Sequence, residues 1–348
     1  MNSKTLSEAL HKLPYPGLNR TLGELKLISE VKVSDSIAHI ELLTVSDDSY
    51  LNVKAAIEAT FSTDFIALNI TKKNTAAKDI NYGNSSTPNN RAPYARNVIA
   101  VTSGKGGVGK STVSVNLAIA LAQKGYKVGI LDADVYGPNV PRLTNTDLEK
   151  IKWNDDNKIV PSENYGLKIM SVALTTPTSD TPLVWRSSVA VSALIQFLED
   201  VAWGELDFLV IDMPPGTGDI QLTMAQELPI TAGVIVTTPQ LVASDDVSRA
   251  IRMFQDIHVP MAGLVENMSY FIAPDTGHRY DIFGSGGGER LSKRYNIPLL
   301  GQIPLDMSIR EGSDNGEPPV VLGDTNQKAH YMNIVEAMLK SANFTVGR

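Results

Sequence analysis

One octapeptide restricts this chain more than any other feature of it. Gly104-Lys105-Gly106-Gly107-Val108-Gly109-Lys110-Ser111 fills every fixed position of the pattern G-x-x-x-x-G-K-[ST]. It follows an apolar run, Asn97 to Thr102, and precedes a helically spaced run, Val113 to Gln123, that Gly125 closes. The order strand, loop, helix is the setting in which this pattern cradles phosphate. An ordinary glycine-rich turn is the competing reading, and the flanking strand and helix weigh against it. Glycines let successive backbone N–H groups converge on phosphate oxygens at a helix N-terminus, where the helix dipole adds positive potential. In such a loop Gly104, Lys105, Gly106, Gly107, Val108, Gly109, Lys110, Ser111 and Thr112 surround the phosphates of ATP. Lys110 reaches the β- and γ-phosphates, and the Ser111 hydroxyl ligates Mg²⁺.

The rest of the chain is organised to suit. From residue 97 onward short β-branched runs alternate with helical stretches. The strand candidates are Val98 to Thr102, Val128 to Leu131, Phe208 to Ile211, Val234 to Thr237, Met261 to Val265 and Pro298 to Ile303. Such alternation predicts an α/β fold, a mainly parallel sheet with helices on both faces. Residues 1–71 read as a small α+β domain. It has strands over Ile37 to Val45 and Phe65 to Thr71, a helix over Leu51 to Thr60, and Ile66, Leu68 and Ile70 alternating along the second strand. Residues 72–96 are polar and rich in Asn, Gly, Ser and Pro, without an apolar face, and are expected to be a flexible linker. Residues 97–348 then form the nucleotide domain.

Two acidic groups fall at predicted strand ends, the edge where ligands bind open parallel sheets. The first is Asp132-Ala133-Asp134 and the second Asp212-Met213-Pro214-Pro215-Gly216-Thr217-Gly218-Asp219. Asp212 fits the carboxylate that holds Mg²⁺ directly or through water. For Asp132 a catalytic role and a plain strand-end cap are equally open, and Asp219 is expected to cap the helix beginning near Ile220. Pro214 to Gly218, stiff at one end and permissive at the other, suits a segment that senses the γ-phosphate.

Composition removes several function classes. The 31 Lys+Arg against 38 Asp+Glu give a formal net charge of -7, which opposes attraction to nucleic acid or an anionic membrane. No apolar run approaches the roughly 18 residues of a membrane span. The amino-terminal residues lack a secretion-signal pattern, so a cytoplasmic location is expected. There are 0 cysteines, which excludes disulfides, thiolate nucleophiles and cysteine-ligated metals.

With its second lysine at the front, Lys105-Gly106-Gly107-Val108-Gly109-Lys110-Ser111-Thr112 resembles the deviant phosphate loop of the MinD/ParA and nitrogenase iron-protein class. That resemblance implies a homodimer with nucleotide between the subunits, Lys105 crossing to the partner's ATP, and Asp134 orienting or deprotonating the attacking water. Taken with Asp134 to Pro141, Val184-Trp185-Arg186, Asp212 to Asp219 and Glu266-Asn267-Met268-Ser269-Tyr270, the chain resembles the Mrp family of iron-sulfur cluster carrier ATPases. The first 71 residues are similar to the MIP18-like domain often fused ahead of it. The family resemblance implies ATP hydrolysis, an adenine contact from Asn267, apo iron-sulfur proteins or another assembly factor as partners, and a [4Fe–4S] cluster bridged between subunits by a C-x-x-C.

Here the pattern breaks. Ala273 and Thr276 stand in the two cysteine places of Phe271-Ile272-Ala273-Pro274-Asp275-Thr276-Gly277-His278. Neither supplies a thiolate, and clusters depend on Cys with occasional His. Asp275, His278 and Asp281 are expected to be a solvated loop, and His11, His39, His258 and His330 are scattered. The sequence therefore leaves a carrier, an ATP-gated adaptor without its own cluster, and a MinD/ParA-like positioning switch as alternatives. Three further expectations concern packing: Gly284 to Glu289 is a strand-to-helix turn, Val191, Leu194, Ile195 and Leu198 face a core, and the amphipathic run Tyr331 to Leu339 docks on the domain.

Overall fold

The computed structural model describes residues 2–14, 21–23, 27–34, 36–42, 47–72, 90–175 and 187–345. Val184-Trp185-Arg186 and most of the stretch read as a linker lie outside these residues. The chain divides into two units, Met1–Ser86 and Thr87–Arg348.

In the first unit, α1 (Ser3–Lys12) starts where the Asn2 side chain accepts from the Thr5 N–H at 2.9 Å. Strands β1 (Ile28–Ser34) and β2 (Ile37–Leu42) pair antiparallel; α2 (Asp47–Phe61) then returns the chain so that β3 (Ala67–Lys72) pairs parallel to β2. Leu6 and Leu10 of α1 and Val53 and Ile57 of α2, each pair one helical turn apart, bury against Ile40 and Leu42. Two sequence expectations change here. Ile66 is not on the inward face, being 82% exposed, whereas Phe65 is buried. The elements α1 and β1 escaped the reading because one offers few buried positions and the other exposes Glu30, Lys32 and Ser34.

The second unit runs β4 (Ala95–Ser103), α3 (Lys110–Gln123), β5 (Val128–Asp132), the short α4 (Val140–Leu143), a small ribbon of β6 (Lys152–Trp153) and β7 (Ile159–Val160), β8 (Ser162–Asn164) and β9 (Leu167–Ser171). It continues with α5 (Ser187–Asp200), β10 (Leu206–Asp212), α6 (Asp219–Glu227), β11 (Ala232–Thr237), α7 (Leu241–Asp256), β12 (Met261–Glu266) and a ribbon of β13 (Phe271–Ile272) and β14 (Arg279–Tyr280). Last come α8 (Gly287–Tyr295), β15 (Leu299–Gln302), α9 (Met307–Asn315), α10 (Pro319–Leu322) and α11 (Thr325–Ser341). The main sheet has the order β15-β12-β11-β4-β10-β5-β9-β8, and only the β8–β9 pair is antiparallel.

Continuous apolar strands follow from this architecture, since helices cover both faces of the sheet. On β4, Ile99 and Val101 join the core beneath α3 and α11, while Val98 and Ala100 join the core beneath α5 and α6. Phe208 and Val210 against Leu209 and Ile211 repeat the alternation on β10. The docking expected of Val191, Leu194 and Leu198 and of Tyr331, Ile334, Val335 and Met338 is observed, all being buried. Of the expected turn Gly284 to Glu289, Gly284 to Gly286 lead into α8 with Gly286 at its cap at φ +69°, while Gly287 to Glu289 already form the first turn of the helix.

Two corrections concern boundaries. Ala92 and Ala95 are buried, and Arg91 reaches Glu199 at 2.7 Å and Glu227 at 3.1 Å, so residues 90–96 belong to the second unit rather than to a linker. Helix α6 begins at Asp219 with Gly218 in the cap position, so Asp219 is the first helical residue rather than the cap.

Because β10 lies between β4 and β5, the carboxyl ends of all three meet at one point of the sheet edge. Asp212 pairs in register with Val101 on one side and Asp132 on the other. This juxtaposition assembles the site.

Candidate nucleotide site

The phosphate loop spans the gap between Ser103 at the end of β4 and Lys110 at the start of α3. Gly107 and Gly109 take φ of +78° and +80°, a region L side chains rarely enter. A Cβ on Gly106 or Gly107 would meet nothing within 4 Å, so the loop presents an open cradle on that face. At Gly109 the reverse holds: a Cβ would lie 2.2 Å from Asn267 Nδ2. No side chain caps α3. Its first-turn amides are the donors an anion uses at a helix N-terminus.

Behind the cradle sits a buried ionic cluster. Lys110 is 6% exposed and Asp212 0%, and Lys110 Nζ lies 2.8 Å from Asp212 Oδ2. Asp134 Oδ2 is 3.9 Å from the same ammonium. The Ser111 hydroxyl donates to Asp212 Oδ2 at 2.6 Å, and the Ser114 hydroxyl, one turn further along α3, donates to Oδ1 at 2.6 Å. A serine hydroxyl and a carboxylate converging in this way are hard oxygen donors of the kind Mg²⁺ takes beside substrate phosphates. The residues present therefore fit Mg²⁺.

Asp132 is fully buried and organises the segment that carries Asp134. Its Oδ1 accepts from the Asp134 N–H at 3.1 Å; its Oδ2 accepts from the Val140 N–H at 3.1 Å and the Ser171 hydroxyl at 3.2 Å. Burial, reinforced by nearby Asp212, pushes its carboxyl up to about 8. Burial also raises the Asp134 carboxyl, against the opposing pull of Lys110. A carboxyl raised in the folded state binds its proton more tightly there than in the unfolded chain. Asp132 consequently takes stability away as pH climbs from the ordinary carboxylate range towards 8. Asp132→Asn is expected to flatten the decline of the urea midpoint between pH 5 and 8. Asp132→Ala, which strips the acceptors from two backbone amides, is expected to cost about 1–3 kcal/mol. A parent-like midpoint and pH profile in both variants would contradict this role.

The cradle opens into a cleft of about 330 Å³ whose walls include Thr112, Asp134, Asn139, Arg142, Pro215 and Asp314. The Pro215 carbonyl accepts from Gln221 Nε2 at 2.6 Å, and the Gly216 N–H donates to the Ser103 carbonyl at 2.9 Å. The segment beside the cleft is thus tethered to both α6 and the end of β4. Lys105 turns elsewhere: its Nζ donates to Gln240 Oε1 at 3.2 Å, just ahead of α7. Gly104 packs against α7 itself, where a Cβ would be 2.4 Å from the Asp246 backbone. Asn267, 7% exposed, follows β12 and donates from Nδ2 to the Val108 carbonyl at 2.8 Å, bracing the loop. Sequence reasoning did not find Ser114, Ser171, Gln240 or the place of Arg142. Ser114 alone had a signal, one helical turn after Lys110 and on the same face.

The two cysteine places lie in the turn that joins β13 to β14. Ala273 is buried, its N–H donates to the His278 carbonyl at 2.9 Å, and its carbonyl accepts from the Gly277 N–H at 2.8 Å. Arg279 Nε is committed to Asp281 Oδ1 at 2.9 Å, and the His278 ring stacks edge-on to Tyr280. Among the described residues no group of three or more His, Asp or Glu is placed to hold a metal ion. With 0 cysteines in the chain, a thiolate-held cluster does not fit these residues.

Against this geometry the comparisons are direct. The sequence profile of the ParA type described as "NUBPL iron-transfer P-loop NTPase" matches residues 94–339. The chain belongs to this family. Among NUBPL-family relatives, the iron-sulfur cluster carrier protein of Synechocystis is 41% identical over 323 residues, which is 90% of this chain and 89% of that protein. The iron-sulfur cluster carrier protein of Aquifex aeolicus is 50% identical over 231 residues, 66% of this chain but only 64% of that protein. A nucleotide-binding protein from Archaeoglobus fulgidus, solved in complex with ADP, superposes with TM-score 0.61 at 37% identity, over 69% of this chain and 94% of that one. The MinD cell-division ATPase of Pyrococcus furiosus shares the fold, with TM-score 0.55 at 21% identity over 71% of this chain and 99% of that one. The α/β architecture expected for this class is therefore observed. Among the described residues no helix is long and apolar enough to cross a membrane.

Proposed function

We propose that this NUBPL-family chain binds and hydrolyses ATP with Mg²⁺ as a homodimer, and that it drives iron–sulfur cluster delivery in the cytoplasm without holding the cluster on thiolates of its own. The observation that carries the reading is the buried Lys110–Asp212 pair behind an open glycine cradle. It sets a cation and a hard carboxylate where the phosphates of a nucleotide arrive.

In this reading the loop amides and the N-terminus of α3 bind the phosphates, and Lys110 turns from Asp212 to the β- and γ-phosphate oxygens. Ser111 and Asp212 would hold Mg²⁺, which when bound neutralises charge on the phosphate oxygens. Asp134, kept in place by Asp132, orients the attacking water and takes its proton; its raised affinity for protons suits that task. Asn267 keeps the loop in shape through Val108 and contributes its remaining amide valences to the adenine. Lys105 serves the partner's ATP.

The cluster is cargo here, and its ligands come from another protein. Relatives named as cluster carriers at 41% and 50% identity support the pathway, and the absence of any thiol defines the division of labour. Anaerobic purification followed by iron and sulfide analysis tests this. The chain alone is expected to carry neither above background, and a cysteine-bearing assembly protein is expected to associate with it only in Mg-ATP. Stoichiometric iron and sulfide on the chain alone would overturn the assignment, as would partner recovery indifferent to nucleotide.

A further inference from the structure

The phosphate loop and its carboxylates leave one cation in the cleft unused. Arg142 lines the same cleft as Lys110, Asp134 and Asn139. Its guanidinium has neither hydrogen bond nor ion pair among the described residues, whereas Arg91 and Arg310 are paired with carboxylates. The carboxylate that shares the cleft wall, Asp314, is already held by Arg310 at 2.8 Å.

The backbone beneath Arg142 is fixed from several sides. Asp132 accepts the Val140 N–H at the start of α4, and the Thr144 hydroxyl returns to the Val140 carbonyl at 2.8 Å. Gly316 packs so closely that a Cβ there would sit 2.8 Å from the Arg142 carbonyl, and the Tyr165 hydroxyl holds the Gly316 carbonyl at 2.7 Å. A fixed α-carbon with an uncommitted planar fork of donors is what bidentate recognition of a phosphate requires.

Charge points the same way. Asp134 and Asp212 crowd the strand ends beside the buried Lys110. A triphosphate brings more negative charge than Lys110 and one Mg²⁺ neutralise, and more than a diphosphate brings. Arg142 lines the cleft together with Asp134 and Lys110, the lysine of the phosphate loop.

We propose that Arg142 contacts the terminal phosphate of ATP and makes the site prefer the triphosphate over the diphosphate. The proposal rests on the ATP reading of the same cleft. Calorimetric titration of the full chain with Mg-ADP and with a non-hydrolysable Mg-ATP analogue tests it, using Arg142→Ala and Arg142→Lys. For Arg142→Ala we expect analogue affinity to fall about tenfold while ADP affinity stays within about twofold, and Arg142→Lys to recover part of the loss. The side chain is exposed, so the unfolding midpoints of both variants should match the parent. Equal losses for both nucleotides, or no loss for either, would overturn the proposal while leaving the ATP reading intact. A parent protein that binds neither nucleotide would remove both.

Discussion

Lys110→Ala is expected to abolish Mg-ATP binding and, in the same step, to destabilise the second unit. The two effects share one cause. Lys110 is 6% exposed, and its ammonium lies 2.8 Å from an Asp212 carboxylate that is fully buried. Removing one partner of a buried pair costs about 3–5 kcal/mol, because the other charge is left without compensation. Ser111 and Ser114 still donate to both Asp212 oxygens, so the loss should fall at the lower end of that range. A stabilising pair and a catalytic lysine can be separated by a second change. Adding Asp212→Asn to Lys110→Ala removes the orphaned charge and should recover most of the urea midpoint, yet it should recover no nucleotide binding. Should Lys110→Ala bind Mg-ATP as the parent does, the phosphate-loop assignment fails; should the double variant stay as unstable as the single, the buried-charge argument fails.

Most of the second unit could be read from its residues because its strands are buried on both faces. Runs such as Phe208 to Ile211 and Val234 to Thr237 need no partner to announce themselves. The strands that escaped notice have mixed surroundings. Leu167–Ser171 is interrupted by a half-buried Lys168, whose ammonium donates to the Trp203 carbonyl at 2.6 Å, and Ser162–Asn164 is a polar antiparallel edge. The same logic divides the site. Phosphate binding demands glycines, a lysine and a hydroxyl at set spacing, so Gly104 to Thr112 was legible from one segment. Asp212 and Asp134 were legible as strand-end carboxylates once the strands were placed. Asp132 was not separable from a plain cap, because its function consists of acceptors offered to Asp134, Val140 and Ser171, and only the third dimension brings these together. Arg142 had no local signature whatever: a free guanidinium is defined by the absence of partners, which a sequence does not record. Ala273 and Thr276 show the converse, since the lack of a thiol is plain in the sequence and folding adds nothing to it.

Lys105→Ala is the variant that should split binding from turnover. Within one protomer this lysine is directed to Gln240 and away from the walls of the cleft, whereas Lys110 forms part of them. A side chain so placed adds little to the affinity of its own subunit for nucleotide. If it supplies positive charge to the transferred phosphoryl group of a partner subunit's ATP, its effect is confined to the transition state. Loss of one such electrostatic contact typically costs about 10²–10³-fold in rate. The expected result is therefore Mg-ATP affinity within about twofold of the parent and hydrolysis reduced by roughly that factor. Mixing decides where the lysine acts. Lys105→Ala subunits carry an intact phosphate loop, and Lys110→Ala subunits carry an intact Lys105. If the lysine acts across the interface, mixtures of the two inactive proteins should regain ATPase activity, because mixed dimers contain one site with both lysines. If it acts within its own subunit, mixing restores nothing, and parent-like turnover by Lys105→Ala alone would show that the front lysine takes no part in hydrolysis.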